Sequence, residues 1–169
     1  MSDQVKGFIR VDHAGEYGAA RIYAGQLAVL RRGPHAEQIQ HMQVQEQAHL
    51  DAFAALIVKR RVRPTALLPF WHVAGFALGA VTAALGPQAA MACTVAVEET
   101  IDEHYAAQAA SLPADEAELS TTVQAFRLEE LGHRDIALAH GAERAPAYRL
   151  LTSLIRTGCK AAIRLSEKI

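Results

Sequence analysis

A chain of 169 residues is long enough for one domain with a sizeable core, and 51% of its residues are hydrophobic. The formal net charge of −1 gives no overall electrostatic reason to expect a nucleic-acid partner. Cys93 and Cys159 lie far apart and outside any C-x-x-C spacing. We therefore expect free thiols rather than disulfides, and a single domain over residues 1–169.

Proline, glycine and the period of the apolar residues divide the chain into about six helical segments. No segment shows the two-residue alternation of a strand, so the sequence predicts an all-α fold. Glycine ends helices and proline disfavours helix in the residue before it, and these effects set most of the predicted boundaries. The segments run from about 4 to 32, 34 to 62, 65 to 86, 87 to 111, 116 to 141, and from 146 onward.

The second segment carries two polar side chains within its apolar stripe. Ile39, Met42 and Phe53 follow the helical period, and Glu46 and His49 fall on the same stripe. A buried ionised carboxylate is costly unless it is protonated, paired or bound to a metal ion. Taken alone, a Glu-x-x-His of this kind favours a surface pair or a hydrogen-bonded core histidine over a metal site.

The same motif occurs again in the fifth segment, as Glu130 and His133. Glu16 precedes Glu46 by 30 residues, and Glu98 precedes Glu130 by 32. Four glutamates and two histidines from four helices form the ligand set of ferritin-like di-iron and di-manganese bundles. Residues three apart are neighbours on a helix surface, and carboxylate plus imidazole ligands suit iron or manganese. The predicted metal ligands are therefore Glu16, Glu46, His49, Glu98, Glu130 and His133.

Two glutamate doublets require a choice. Glu98 is preferred to Glu99 because the helical stripe through Glu99 is acidic and has the character of a solvated face. Glu130 is preferred to Glu129 because Glu130 has the correct spacing to His133.

Three further polar residues lie near the predicted ligands. His13 precedes Glu16 by three residues, and His104 and Tyr105 follow Glu98 in the fourth segment. They serve either as capping or surface residues, or as groups that orient the ligands or contact the substrate. The sequence leaves both roles open.

The third segment is apolar for about 20 residues, which approaches the length that spans a bilayer. Pro69, several glycines and His72 interrupt it. It must also connect the second and fourth helices so that their ligands face one site. We therefore expect a crossover helix rather than a membrane span.

Basic and amphipathic features nevertheless favour contact with a membrane surface. A basic run at 59–63 precedes the third segment, and the sixth segment has Arg149, Arg156, Lys160 and Arg164 on one side and apolar residues on the other. A basic amphipathic helix can lie in a membrane interface, where an enzyme would meet a lipid-soluble substrate. The alternative for this helix is ordinary packing against the bundle with solvated arginines.

The N-terminal stretch has charged residues where a secretory signal needs an apolar core, and it lacks the composition of a transit peptide. We therefore expect a peripheral protein on the cytoplasmic face of a bacterial cell membrane. For a mature eukaryotic chain, the equivalent place is the matrix face of the mitochondrial inner membrane.

Several longer strings are distinctive: VDHAGEYGAARIYAGQ, RVRPT, GFALGA, MACTVAVEETIDEHY, FRLEELGH and APAY. From about Ile9 to Glu167 the chain resembles the demethoxyubiquinone hydroxylase family of ubiquinone biosynthesis. The resemblance implies a ferritin-like bundle with two iron ions, held by the six residues already selected by their spacing. One departure is Gly132-His133-Arg134, where the family pattern has an acidic residue and a second histidine. All six predicted ligands are present, but the resemblance does not support a ligand-orienting role for residue 134.

The resemblance also implies a reaction and its partners. It implies an oxygen-dependent di-iron monooxygenase that hydroxylates the ring of a polyprenylated demethoxyubiquinone or demethoxyubiquinol, and a lipid-binding protein that presents this substrate. The sequence has no dinucleotide-binding fingerprint, so the electrons come from outside the chain. NADH is the expected external donor.

Two other functions remain open from the sequence. The same bundle can serve iron oxidation or peroxide scavenging, as in ferritin-like and rubrerythrin-like proteins, because a fold does not fix a function. The chain lacks a paired-cysteine rubredoxin module, and its apolar third segment is unusual for a storage cage. The second alternative is a metal-free, membrane-bound helical interaction protein in which the glutamates form ion pairs.

Overall fold

The computed structural model describes residues 1–169 and contains no β-strand, which confirms the predicted all-α fold. The Ser2 side chain caps the first helix by accepting a hydrogen bond from the backbone N–H of Val5. The third helix begins at Leu68 rather than near residue 65, because Pro69 fits the first turn of a helix. The six helices are α1 (Asp3–Leu30), α2 (Ala36–Lys59), α3 (Leu68–Ala84), α4 (Pro87–Ser111), α5 (Ala117–Ala139) and α6 (Tyr148–Lys168).

Four helices form the bundle, and the other two lie against it. α1 packs against α2, and α4 packs against α5, so each half of the chain contributes one helix pair. α3 carries the chain from one pair to the other and packs chiefly on α1, while α6 packs on α4 and α1. This is the predicted ferritin-like bundle with a crossover helix and an additional C-terminal helix.

Two apolar clusters fill the bundle on either side of a polar layer. One cluster includes Tyr23, Met42, Val95 and Ala137, and the other includes Ile9, Phe53, Tyr105 and Val123. Each of the four bundle helices contributes to both clusters, and between these contributions each helix carries one predicted glutamate ligand. A fully buried large apolar side chain contributes about 1.5–3 kcal/mol to stability. Apolar burial on both sides therefore helps to offset the cost of the polar layer.

Glycines bring α3 close to α1. A Cβ atom at Gly79 would overlap the backbone oxygen of Ile22, and one at Gly25 would overlap the backbone of Phe76. Only a residue without a side chain permits this approach. The two helices therefore cross backbone to backbone, which fixes α3 beside the helix that carries Glu16.

No helix combines the length and the hydropathy needed to cross a membrane. The apolar third segment forms a helix of 17 residues.

The basic side chains of α6 are not all free, as the alternative of packing against the bundle implied for part of this face. Arg156 forms an ion pair with Glu99 of α4, and Nζ of Lys160 lies 2.8 Å from Oε2 of Glu103. These contacts join α6 to α4, and they also account for the acidic stripe of α4 that the sequence suggested was solvated. Arg164 remains exposed.

Candidate metal centre

The polar layer brings all six predicted ligand residues together in the middle of the bundle. The helical period places the members of each Glu-x-x-His on one face, and that face is turned inward. Each of the six residues is at most 1% exposed: Glu16 from α1, Glu46 and His49 from α2, Glu98 from α4, and Glu130 and His133 from α5.

Two overlapping groups of these side chains could each hold a metal ion. The ligand atoms of Glu16, Glu46, His49 and Glu130 lie within 4.8 Å of one another, as do those of Glu46, Glu98, Glu130 and His133. Glu46 and Glu130 belong to both groups, whereas each remaining glutamate and histidine belongs to one. The arrangement suits two adjacent metal ions bridged by two carboxylates, which we call the His49 position and the His133 position.

Both histidines direct Nδ1 into the layer. Nδ1 of His49 lies 3.1 Å from Oε1 of Glu130 and 3.5 Å from Oε2 of Glu16. Nδ1 of His133 lies 3.0 Å from Oε1 of Glu46 and 3.1 Å from Oε2 of Glu130. The Nδ1 atoms are therefore the candidate metal ligands, and the Nε2 atoms are left for other contacts.

Three of the glutamates are poorly satisfied without a metal. Burial raises the pKa of Glu16, and burial together with the neighbouring carboxylate of Glu130 raises the pKa values of Glu46 and Glu98 well above the usual 4.5. Oε2 of Glu46 and Oε2 of Glu98 are buried without a hydrogen-bond partner, and Oε2 of Glu16 and Oε1 of Glu46 lie near a histidine Nδ1 without forming a hydrogen bond to it. Such groups are rare in proteins, and divalent ions would satisfy them. The residues therefore fit a pair of metal ions.

Glu130 behaves differently because both histidines contact it. Burial acts to raise its pKa, but the hydrogen bonds from His133 and His49 outweigh burial and lower that pKa to about 2. Burial likewise acts to lower the pKa of His49, and the hydrogen bonds to Glu130 and Glu16 raise it to about 11. In the metal-free protein, an ionised Glu130 beside a protonated His49 holds the centre of the layer together.

Two tyrosines donate hydrogen bonds to the unshared glutamates. The hydroxyl of Tyr105 donates to Oε1 of Glu16, and the hydroxyl of Tyr23 donates to Oε1 of Glu98 at 2.7 Å. Tyr105 was a candidate from the sequence, and it contacts a predicted ligand. Tyr23 was missed because it reads as part of the apolar face of α1. Its signal was its spacing, since each tyrosine follows a predicted glutamate by seven residues.

The Nε2 atoms of the histidines lie at the ends of a hydrogen-bonded chain along the outer side of the layer. Nε2 of His133 lies 3.1 Å from Oε1 of Gln45, and Nε2 of His49 lies 3.0 Å from Oε2 of Glu129. Nε2 of Gln45 lies 3.4 Å from Oε2 of Glu129. These four residues form what we call the outer chain. Sequence reasoning missed Gln45 and set Glu129 aside, although each stands directly before a predicted ligand.

Comparison with known proteins assigns the chain to a family. The family model described as Ubiquinone biosynthesis protein COQ7 matches residues 3–166. The chain belongs to this family. It is 56% identical over 163 residues to the 3-demethoxyubiquinol 3-hydroxylase of Rhodospirillum rubrum, covering 96% of this chain and 77% of the relative.

Mitochondrial relatives are equally similar. The chain is 57% identical over 171 residues to the NADPH-dependent 3-demethoxyubiquinone 3-hydroxylase of Bos taurus, covering 99% of this chain and 79% of the relative. It is 56% identical over 169 residues to the protein of the same name from Homo sapiens, covering 98% and 78%. The predicted resemblance to the demethoxyubiquinone hydroxylases is thus confirmed.

In this COQ7 family member, His104 belongs to a polar network beside the centre. Nε2 of His104 lies 3.2 Å from Oδ1 of Asp12, and the amide of Gln108 donates to Oδ2 of Asp12 at 2.9 Å. Asp12 is only 3% exposed, and burial raises the pKa of its carboxyl group above the usual value. His104 contacts none of the six predicted ligands through a hydrogen bond. His13 is half-buried, and its Nδ1 has no hydrogen-bond partner.

The choices between neighbouring glutamates have different outcomes. Glu98 is buried in the layer, whereas Glu99 pairs with Arg156 on α6. Glu130 lies in the layer as expected. Glu129 lies outside the layer, but its carboxylate accepts a hydrogen bond from Nε2 of His49.

At the position that departs from the family pattern, the side chain turns away from the centre. Arg134 pairs with the neighbouring Asp135 at 2.7 Å. It makes no hydrogen bond to a predicted ligand.

An apolar cavity of about 500 Å³ lies between α1, α3 and α6. Its lining is mostly hydrophobic and includes Gly15 and Gly18 of α1, Leu78 of α3 and Ile155 of α6. A Cβ atom at either glycine would meet no atom within 4 Å, so these glycines leave open space rather than close a helix contact. Gly15 directly precedes Glu16, so the cavity borders the part of α1 that carries this predicted ligand.

Proposed function

We propose that the chain is an oxygen-dependent di-iron monooxygenase. It hydroxylates the ring of a polyprenylated demethoxyubiquinone or demethoxyubiquinol in ubiquinone biosynthesis. The observation that carries the proposal is the convergence of both Glu…Glu-x-x-His sets on one buried layer with two overlapping ligand groups. Membership in the COQ7 family and the names of the relatives support the choice of substrate.

The roles of the ligands follow from their positions. Glu46 and Glu130 would contribute to both metal positions, Glu16 and His49 to one of them, and Glu98 and His133 to the other. With two iron ions bound, the centre supplies the reduction of O2 that ring hydroxylation requires. One oxygen atom enters the ring and the other leaves as water, with two electrons and two protons consumed. The tyrosines hold the unshared carboxylates in place, and the apolar clusters exclude water from the layer.

The apolar cavity is the proposed substrate site. A polyprenyl tail is hydrophobic and suits a mostly hydrophobic lining, and binding sites of this class are concave and largely apolar. The open space beside Gly15 and Gly18 would admit a quinone ring next to the layer. The proposed domain is the whole chain, 1–169, since the cavity uses α6 as well as the bundle helices.

The electrons come from a reduced nicotinamide outside the chain. The sequence led us to expect NADH, whereas the mitochondrial relatives are named as NADPH-dependent enzymes. Parallel assays with NADH and NADPH would identify which nucleotide is the donor. No segment of the chain offers a strand-based dinucleotide fold of its own.

We also propose peripheral attachment to a membrane that contains the quinone. Exposed apolar side chains on α3, at its C-terminal end and on α6 support this proposal: Phe70, Val73, Val81, Leu85, Leu150, Leu154 and Leu165. The cytoplasmic face of a bacterial cell membrane and the matrix face of the mitochondrial inner membrane are the proposed locations. A lipid-binding protein that presents the substrate would dock beside the same surface.

The deciding experiment measures iron and product in parallel. The native chain and its Glu46→Ala and Glu130→Ala variants are reconstituted with Fe(II) without oxygen and desalted. They are then assayed with a short-tailed demethoxyubiquinone, O2 and either NADH or NADPH. We expect about two irons per native chain, and in both variants less iron and no hydroxylated product, with unchanged far-UV circular dichroism. Glu37→Ala, which removes an exposed carboxylate of α2, is the matched control.

Three results would overturn the proposal. Hydroxylation retained in either layer variant would exclude the site. Iron oxidation without any quinone product in the native chain would favour the iron-handling alternative, and absence of bound iron would favour the interaction protein.

A further inference from the structure

The centre has an approximate two-fold repeat that extends beyond the six predicted ligands. Tyr23 follows Glu16 by seven residues and donates to Glu98, while Tyr105 follows Glu98 by seven and donates to Glu16. Each half of the chain therefore supports the unshared glutamate of the other half with the same chemical group.

The outer chain follows the same repeat but breaks it in charge. Gln45 directly precedes Glu46 and accepts from Nε2 of His133, and Glu129 directly precedes Glu130 and accepts from Nε2 of His49. Equivalent places are thus held by a neutral amide in one half and by a carboxylate in the other. The amide of Gln45 also donates to Glu129, so the hydrogen bonds of the outer chain converge on this carboxylate from both sides.

A second departure from the repeat lies between α1 and α4. Gln26 donates to Thr94 at 3.4 Å in one half, whereas its counterpart Gln108 donates to Asp12 at 2.9 Å in the other. Asp12 precedes Glu16 by four residues and so lies on the same face of α1. Asp12 makes no hydrogen bond to a predicted ligand, so only the difference between Glu129 and Gln45 bears directly on the two metal positions.

Resting on the proposed di-iron function, we propose that Glu129 is a positioning residue that makes the two metal positions unequal. Its hydrogen bond to Nε2 fixes the ring of His49 with Nδ1 directed inward and makes His49 the stronger ligand. A carboxylate that accepts from a metal-bound histidine raises the basicity of that ligand, and such partners typically contribute 10- to 100-fold in metal affinity. An amide acceptor does this less, because charge-assisted hydrogen bonds are roughly twice as strong as neutral ones. The His49 position therefore binds Fe(II) more tightly than the His133 position.

The exposure of Glu129 decides how this effect is transmitted. Its side chain is 44% exposed, so water and salt screen its charge over longer distances. The 3.0 Å contact with Nε2 is direct and is not screened in this way. Removing the charge while keeping the hydrogen bond therefore isolates the effect, and glutamine at position 129 does this.

The test is anaerobic titration calorimetry with Fe(II) alone on four proteins: the native chain, Glu129→Gln, the double variant Glu129→Gln/Gln45→Glu, and the Glu37→Gln control. In Glu129→Gln we expect the tighter of the two binding constants to weaken by about 10- to 100-fold, with the weaker constant little changed. The double variant keeps the net charge and the outer chain but moves the carboxylate behind His133. We expect it to restore the separation between the two constants, and the control to match the native chain.

The outcomes distinguish this inference from the di-iron proposal. Two irons in the native chain with the same constants in Glu129→Gln would overturn the role of Glu129 and leave the centre standing. A loss in Glu129→Gln that the double variant fails to restore would show a merely structural role and would also overturn it. No iron in the native chain would overturn both proposals. Circular dichroism of each metal-free variant checks that it is folded.

Discussion

At the scale of single residues, the layer is a group of acids that the metal-free fold tolerates only by holding protons. Glu46 and Glu98 have pKa values raised by burial and by Glu130, while Glu130 itself is ionised beside the histidines. Divalent ions would replace these protons and supply the missing partners. Glu46 and Glu98 therefore favour lower pH in the metal-free protein, where they hold protons, and higher pH in the metal-loaded protein, where they must be ionised.

This opposition gives a prediction for the metal-free chain. A carboxyl group with a raised pKa stabilises the fold most below its unfolded value, near 4.5, and this contribution is lost as the pH rises through the folded value. The contribution of His49 is complete below 6.5 and is lost as the pH rises toward about 11. Glu130 acts in the reverse sense, since its contribution is present above 4.5 and is lost as the pH falls toward about 2. We therefore expect the chelator-treated chain to unfold at a lower temperature at pH 8.5 than at pH 6.

The variant that checks the cause is Glu46→Gln, because an amide resembles the protonated carboxyl group. Thermal unfolding followed by circular dichroism should show a smaller loss between pH 6 and pH 8.5 in this variant than in the native chain. Glu37→Gln should behave as the native chain. A slope in Glu46→Gln equal to that of the native chain would contradict the assignment.

At the scale of helices, the sequence was sufficient for the fold and for the convergence of six residues. Helical periodicity placed Glu46 and His49 on an inward face, and the repeated spacing identified the partner helices. Their role as metal ligands stays a prediction. The hydrogen bonds around them could not be predicted, because Tyr23 reads as an ordinary core residue until the partner helix is known. Which nitrogen of a histidine faces inward is likewise decided by packing across helices.

The contacts of α6 could not be predicted for a similar reason, because they depend on what lies opposite this helix. A wheel of α6 shows Arg156 and Lys160 on one side, but it cannot show that α4 presents Glu99 and Glu103 to them. Amphipathic patterning therefore predicted the helix and left its partner open.

The crossing of α1 and α3 gives a prediction at this scale. Gly79→Ala places a methyl group against the backbone oxygen of Ile22, so the helices must separate. Overpacking of this kind typically costs about 1–3 kcal/mol. Gly132→Ala is the matched control, because its methyl group would meet no atom within 4 Å and alanine favours helix by about 0.5–1 kcal/mol. In urea unfolding, Gly79→Ala should be less stable than the native chain. Gly132→Ala should be as stable as the native chain or more stable. Equal stability of the two variants would contradict the close crossing.

At the scale of the whole molecule, the apolar and polar surfaces near the centre lie on different helices. The cavity is formed by α1, α3 and α6 with a smaller contribution from α4, whereas the outer chain lies between α2 and α5. A lipid-soluble substrate would then approach the layer from the side of the cavity, away from the polar outer chain. The exposed apolar side chains of α3 and α6 belong to the helices that line the cavity.

Membrane binding is therefore expected to depend on these apolar side chains more than on the basic ones. Arg156 and Lys160 are engaged by α4, so neutralising them should loosen α6 rather than release the protein from lipid. Phe70 and Leu154 are 60% and 63% exposed, and burying either side chain in the bilayer interface would favour membrane binding. We expect the Phe70→Ser/Leu154→Ser variant to bind liposomes that contain anionic lipid at least about tenfold more weakly, which corresponds to about 1.4 kcal/mol.

The matched control is Val58→Ser, because Val58 is 78% exposed on α2 and does not line the cavity. Sedimentation with liposomes should separate the two variants while bound iron stays at the native level in both. If the double variant and Val58→Ser bind as the native chain does, the α3 and α6 surface has no role at the membrane. If binding instead falls only when Arg164 is neutralised, charge rather than apolar contact holds the protein there. Equal weakening in all variants would indicate loss of fold, which circular dichroism would reveal.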